Sequence, residues 1–471
     1  MAKVRVDCPA ASAEAAPDPT ALGTVRARPL RDRPRPVERE REFGLDEMFF
    51  STTDSKGRIS SGNRVFERVS GYTGSEMRGQ PHNMIRHPDM PRSVFQLLWD
   101  YLGACRPIAA YVKNLASDGT YYWVLATALP VPGGYLSIRI KPSTPYLGII
   151  GGAYRELLVL ERSLEDDGAT RRQAIDASAA RLNDLVVEAG FRNYAGFMGA
   201  ALAAELSSRE AARSDIPRNG ARPTSDGPTE LARILHACSA VDGHMRSLFG
   251  ALEGFARLNE TLAGKAGFVR DLADSVRLLA LNAMVSSARL ERDGDVLGAV
   301  AGMLGMRSDA IAAVVERVAI DLDEVFELLS GLEFRISLAK LQTEMTVCFA
   351  RELRDAGATS PAITGHGVTN DLALLARCLR TGAEDAFDSL HSLETALVRV
   401  GAHVRRLASG LKALGALQTG GRIEATRTDA GSFVFLFREV ADQVAAARLE
   451  WMLLVTATGN EPLTTFPHRI A

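Results

Sequence analysis

The run Gly79-Gln80-Pro81-His82-Asn83-Met84-Ile85-Arg86-His87-Pro88-Asp89-Met90-Pro91 sets two imidazoles, a guanidinium, a carboxylate and an amide between prolines. Each proline fixes φ and removes a backbone donor, so neither a plain helix nor a central strand passes through it. Side chains that donate and accept hydrogen bonds in several directions converge there instead. The run reads as one wall of a polar ligand pocket; the bland alternative is a satisfied surface turn.

Outward from this loop the chain alternates short strand-like and helix-like pieces. Upstream, Phe49 to Ser60 reads as two strands around a turn at Asp54 to Gly57. Asn63 to Tyr72 sets Phe66 and Val69 on one helical face and stops at Gly71. Downstream, Arg92 to Leu102 carries Val94, Leu97, Leu98 and Tyr101 at helical spacing. Then come strands from Ile108 to Leu115, from Tyr121 to Pro130 across the Ser117-Asp118-Gly119 turn, and from Tyr135 to Lys141 after Gly133-Gly134. The order is β-β-helices-β-β-β, an α+β unit with a five-stranded antiparallel sheet and flanking helices over residues 44–143.

Val69-Ser-Gly-Tyr-Thr, Gly79-Gln-Pro-His-Asn-Met, Arg86-His-Pro-Asp-Met-Pro, Val112-Lys-Asn, Tyr122-Trp-Val and Leu136-Ser-Ile-Arg resemble the PAS sensor domain of bacterial aerotaxis receptors. The resemblance runs through residues 47–141 in order. It implies a domain that holds FAD non-covalently and reports redox or oxygen-linked energy state. It further implies cofactor-binding roles for Arg86, His87 and Asp89, and extends the same inference to His82, Asn83, Trp99 and Asn114. The chemistry suits each: Arg86 offers a fork for phosphates or carbonyl oxygens, Asn114 one donor and one acceptor, and Trp99 or His82 a stacking face. Asp89 suits orienting Arg86 or His87, or capping the helix that starts near Pro91. Ile108, Ala109, Ala110 and Leu115 depart from the family pattern along the strand expected to line the pocket. Two other readings of the same unit are a cofactor-free PAS used for dimerisation or scaffolding, and a haem sensor with His82 or His87 as axial ligand.

The 471-residue chain is 46% hydrophobic and 24% charged with a net charge of -2, which provides no global field for nucleic acid or an anionic membrane surface. No Rossmann glycine pattern, P-loop or nucleophile elbow is visible, so no enzyme activity and no metal site are expected. Five cysteines without a Cys-x-x-Cys pair read as reduced thiols of a cytoplasmic protein. The most membrane-like stretch, Tyr194 to Ala204, falls short of the roughly 20 residues of a spanning helix, so no membrane span is expected.

Residues 1–43, rich in Ala, Pro and Arg, read as a disordered arm. After the sensor unit come a helical connector at 144–212, a flexible linker at 213–228, a helical hairpin at 229–356, a loop at 357–369, a second helical region at 370–460 and a tail at 461–471. Val300, Leu304, Ile311, Val314, Val318, Leu322 and Val325 form a coiled-coil-like stripe, which with a preceding stripe predicts antiparallel helices joined at Gly294. Leu278-Leu-Ala-Leu-Asn282 to Arg289 and the Gly294 turn resemble the signalling tip of methyl-accepting chemotaxis proteins, with changes at Ser286 and Val296-Leu297. That resemblance implies contacts through Asn282 and Arg289 with chemotaxis receptors, a coupling protein or a histidine kinase, and the helices suit a homodimer. A fainter copy is suggested at Gly421 to Leu436.

Overall fold

The computed structural model describes residues 33–214, 294–356 and 368–427, with isolated positions between 275 and 285 and between 435 and 445. Two compact units divide the chain. The first contains a sheet of β1 (Met48–Asp54), β2 (Ile59–Gly62), β3 (Ile108–Leu115), β4 (Tyr121–Val131) and β5 (Gly134–Ile140), in the order β2-β1-β5-β4-β3. All neighbours are antiparallel.

Local chemistry sets the element ends. The Asp54 carboxylate accepts from the amides of Lys56 and Arg58, and Gly57 takes φ 73°, which closes the β1–β2 turn. Helix α1 (Arg64–Ser70) begins at Asn63, whose side chain accepts from the Phe66 amide, and ends at the left-handed Gly71. Helix α2 (Gly74–Met77) carries a Thr73/Glu76 capping box. The prolines of the opening run leave room only for a 3-10 turn, His82–Ile85, before α3 (Arg92–Gly103).

Asp89 does not cap α3. Its carboxylate pairs with Lys113 at 2.7 Å, and the first turn of α3 is closed by Glu161 of α4 (Tyr146–Asp166), which accepts from the amides of Arg92 at 2.9 Å and Ser93 at 3.1 Å. A distant carboxylate thus takes the place that sequence proximity assigns to Asp89, and it meets the positive end of the helix.

Strand β3 forms one edge of the sheet, and three of its outward carbonyls are occupied. Tyr194 of α6 (Tyr194–Ser214) donates to Ala109 O, Tyr154 of α4 donates to Tyr111 O, and the His87 amide donates to Lys113 O. The edge is therefore closed to further strand pairing. Helix α5 (Arg171–Glu188) packs against α3 and α4. The other face of the sheet meets α6 and residues 333–356 of α7 (Gly294–Ala356): Tyr111 OH donates to Glu205, and Phe50 meets Phe349 edge-on at 4.9 Å.

Residues 33–43 are ordered, contrary to the disordered arm expected over 1–43. Val37 N donates to Gly119 O and Arg41 N to Tyr121 O, Arg41 pairs with Asp118 at 2.8 Å, and Phe43 is buried against Phe49 and Tyr122. One aromatic anchor and backbone pairing to the start of β4 outweigh the arginine and proline content. Residues 1–32 lie outside the described ones, as do most of the expected linker and tail and nearly all of the helix expected before Gly294.

In the second unit, residues 294–332 of α7 run antiparallel to residues 387–427 of α8 (Val368–Arg427). Asp321 accepts from Arg399 at 3.0 Å and His403 at 2.6 Å, and Ile311 sits beside Gly410. Leu304, Ile311, Val318, Leu322 and Val325 of the predicted stripe are buried, with Val315 rather than Val314 taking the intervening position. Here the partner of the stripe is α8, from the expected second helical region. The helix runs to Arg427, and the turn of the fainter tip-like copy, expected near Gly431, lies outside the described residues. Asn282 is an exposed helical residue, and Arg289 lies outside the described residues.

Two further features bear on the expectations of no membrane span and of reduced thiols. Among the described residues one helix, within Gly298–Leu353, is long and apolar enough to cross a membrane by length and composition. It is not the Tyr194 to Ala204 stretch, whose helix turns Glu205 into the sheet. Cys105 is exposed and engaged in a disulfide, while Cys348 and Cys378 are free.

Candidate functional site

A cavity of about 160 Å³ lies between the inner face of the sheet, α3 and the 3-10 turn. Strand alternation sends Ser51 and Thr53 of β1, Val112 and Asn114 of β3, Ala126 and Ala128 of β4, and Tyr135, Ser137 and Arg139 of β5 into it. Helix α3 contributes Arg92, Phe95, Leu98, Trp99 and Leu102, and the 3-10 turn contributes His82 and Asn83 with Arg86 directly after it. Arg171 and Ile175 of α5 and Gly57 of the β1–β2 turn complete the lining. Among the described residues no carboxylate lines the cavity, and four arginines do.

Those arginines differ in their surroundings. Arg92 is paired with Glu161 and Glu165 at 2.8 and 2.6 Å. Arg86 lies over the Phe95 ring at 3.9 Å and donates to Met90 O at 2.9 Å, and burial pulls it down to about 10. Arg139 is 3% exposed and donates to Ser51 Oγ at 3.0 Å and to His82 Nε2 at 2.7 Å. Its guanidinium sits 5.8 Å from the Phe49 ring and 5.4 Å from the Phe66 ring, and burial brings it to about 10, so it remains a cation at neutral pH. Among the described residues no carboxylate pairs with it.

His82 follows from its neighbour. An arginine can only donate, so His82 Nε2 accepts and the ring is neutral. Burial first and the Arg139 charge second hold its pKa well below 6.5. The ring also stacks on Phe66 at 6.1 Å and lies 3.2 Å from Ser51 Oγ. One ring face and Nε2 are thereby committed to protein, so His82 works as a fixed polar wall. Trp99 is held edge-on to Tyr135 at 5.5 Å, with Gly57 close to its ring.

Asn114 carries the clearest vacancy. It is 3% exposed, lines the cavity, and its Nδ2 has no hydrogen-bond partner. An unmade bond at a buried amide costs about 1–3 kcal/mol, which a ligand acceptor would recover. A short bridge pairs the Asn114 and Arg86 backbones and holds the loop against β3.

Of the residues singled out in the sequence, the structure brings His82, Asn83, Arg86, Trp99 and Asn114 together around the cavity. His87 and Asp89 do not line it. His87 is buried with its Nδ1 accepting from the Asp89 amide, and Asp89 lies 3.4 Å from that nitrogen while paired with Lys113. Their work is to tie the loop to β3. The family departures are off the wall too: β3 lines the cavity with Val112 and Asn114, not with Ile108, Ala109, Ala110 or Leu115. Arg139, quoted only as part of the family resemblance, and Ser51 were given no site role from the sequence. Within Tyr135-Leu-Ser-Ile-Arg139-Ile the alternation of polar and apolar residues looks like an exposed strand face; its signal was an arginine in phase with Ser137 and Tyr135.

The comparisons with known proteins agree with this geometry. Residues 59–135 match the PAS fold family. The aerotaxis receptor of Escherichia coli (strain K12) is 40% identical over 117 residues, 24% of this chain and 23% of that protein. The nitrogen fixation regulatory protein of Klebsiella pneumoniae is 29% identical over 102 residues, 20% of this chain and 21% of that one. The chain thus matches less than a quarter of the length of either relative. A fungal LOV domain photoreceptor overlaps with 18% identity and a TM-score of 0.18, covering 23% of this chain and 83% of that one. The sheet order, the cavity between sheet and α3, and the match over residues 59–135 identify this region as a PAS domain, related to that of the aerotaxis receptor.

Proposed function

We propose that the cavity binds a flavin, as FAD, and that the protein senses redox or oxygen-linked state and relays it through its helices. The observation that carries this reading is the unpartnered Asn114 Nδ2 in a cavity whose charged lining is entirely arginine. Such a set of donors suits a heterocycle with an edge of carbonyl and ring-nitrogen acceptors, and Arg86 with Arg171 suits phosphate oxygens. An apolar cavity of about 150 Å³ admits a benzene ring. At about 160 Å³ this one houses one end of a larger heterocycle, with the remainder of a dinucleotide lying toward its mouth. A bound flavin supplies reversible electron transfer, and the protein supplies binding, orientation and electrostatics.

Haem fits poorly. Within the cavity His82 Nε2 is already engaged by Arg139, and His87 lies outside it, so neither offers an open axial nitrogen.

The relay starts from Ser51, which touches both Arg139 and His82 and stands on β1 between Phe50 and Thr52. Phe50 meets Phe349 of α7, and Thr52 is hydrogen-bonded to Ser61, which donates to Asp371 of α8 at 2.8 Å. A shift of β1 therefore moves residues of both long helices. The helices suit a homodimer, and a chemoreceptor-type partner at the Asn282 end remains part of this proposal, without enzymatic turnover.

A visible spectrum of the purified full chain, before and after incubation with FAD, tests the reading. Flavin bands that Arg86→Ala releases support it. No bands and no uptake overturn it.

A further inference from the structure

Arg139 is a buried cation with no anion beside it among the described residues. A charge in that position costs several kcal/mol unless something in its surroundings compensates it. Two aromatic faces, Ser51 and a neutral His82 supply part of the compensation, but none of them carries negative charge. The aromatic rings and the hydrogen bonds also fix the guanidinium in place, so it cannot turn away toward solvent. Asn114, on the far side of β4 from β5, presents the other unmatched donor to the same cavity.

Resting on the flavin reading, we propose that Arg139 sets both the direction in which the flavin enters and its potential: the acceptor edge meets Arg139 and Asn114, and the guanidinium stabilises the electron-rich form. On the opposite wall Phe95, Leu98 and Leu102 of α3 offer apolar contact, and Arg92 of the same helix is already engaged by Glu161 and Glu165. Two electrons taken up with one proton leave one added negative charge on the bound ring. A fixed guanidinium in a poorly solvated wall favours that state over the oxidised one. Ser51 and His82 hold Arg139 in this role and, through β1, feel any change in its hydrogen bonding.

The test is a dithionite titration of the FAD-loaded full chain in the presence of a reference dye, compared with free FAD and with Arg139→Gln and Arg139→Lys. Bound FAD in the natural protein is expected to have a higher midpoint than free FAD. Arg139→Gln lowers that midpoint by about 30 mV or more, a tenfold loss in preference for the two-electron-reduced form, and Arg139→Lys restores most of it. If Arg139→Gln does not fold by circular dichroism, the natural protein and Arg139→Lys still decide. Bound FAD with a midpoint at or below that of free FAD overturns the proposal and leaves flavin binding standing, as does an unchanged midpoint in a folded Arg139→Gln. Failure of the natural protein to take up FAD overturns both.

Discussion

The two faces of the PAS sheet handle their polar groups differently. On the outer face Glu205, 1% exposed, accepts from Tyr111 OH at 2.8 Å, from Ser143 N at 2.6 Å and from Thr144 Oγ1 at 2.7 Å. Its charge is surrounded by donors, and Phe50 is matched by Phe349. On the inner face Asn114 Nδ2 is unmatched and Arg139 lacks an anion among the described residues. A closed face holds the fold together, and a face left short of acceptors is the one where the proposed ligand would bind. Substitutions on the outer face should therefore cost stability, and those on the inner face should cost binding.

The largest loss is expected from Phe349→Ala, which empties a fully buried aromatic site against Phe50. Phe-to-Ala changes in cores cost about 3–5 kcal/mol. Urea unfolding of the full chain, followed by circular dichroism, measures it. A cost below about 1 kcal/mol would mean that α7 does not hold the sheet's outer face in solution. Next comes Glu205→Ala, which strands the Tyr111 hydroxyl and the Ser143 and Thr144 donors; about 3 kcal/mol is expected for several buried groups left without a partner. Neither substitution touches the cavity wall, so each should retain the ligand under conditions where the protein is still folded.

Legibility in the sequence follows the same division. Strand ends fell where glycine turns and Asx caps act locally, as at Asp54 to Gly57 and Asn63 to Gly71. Five of the seven candidate site residues line the cavity because the proline-broken loop and the alternation of β3 leave them few other directions. His87 and Asp89 lie off the wall because adjacency in a motif does not state which way a side chain turns. Asp89 found Lys113, and the helix end went to Glu161, 72 residues away by number from Asp89, a pairing that only packing of α4 creates. Arg139 was hidden for the opposite reason. Its strand has the alternation of a half-solvated sheet, yet both faces are covered, and one sequence cannot distinguish solvent from a polar cavity.

A change in pH separates the faces more finely. His82 is held neutral in the folded protein, with its pKa well below 6.5, whereas the unfolded chain's imidazole titrates near 6.5. Between those two values the unfolded state binds the additional proton, so stability is fully present above about 6.5 and falls as pH drops toward the folded pKa. The slope from this one group approaches about 1.4 kcal/mol per pH unit inside the window. Comparing urea midpoints of the natural protein and His82→Asn at pH 7.5 and 5.5 isolates it. An identical pH dependence in both would show that the imidazole is not held by Arg139 and Ser51.

The smallest change in stability is expected at Asn114, and it is the sharpest discriminator of the two faces. Replacing it with alanine removes an amide whose Nδ2 has no partner in the folded chain, so no made bond is lost there. The ligand-free protein should change by no more than about 1 kcal/mol. The same amide is the donor left over for an acceptor in the cavity. Its loss should weaken FAD binding about tenfold, the equivalent of roughly 1.4 kcal/mol, measured by titration against flavin fluorescence. A large stability loss with unchanged binding would reverse the comparison: the inner face would then be a closed part of the core like the outer one, with Asn114 serving the sheet rather than a ligand.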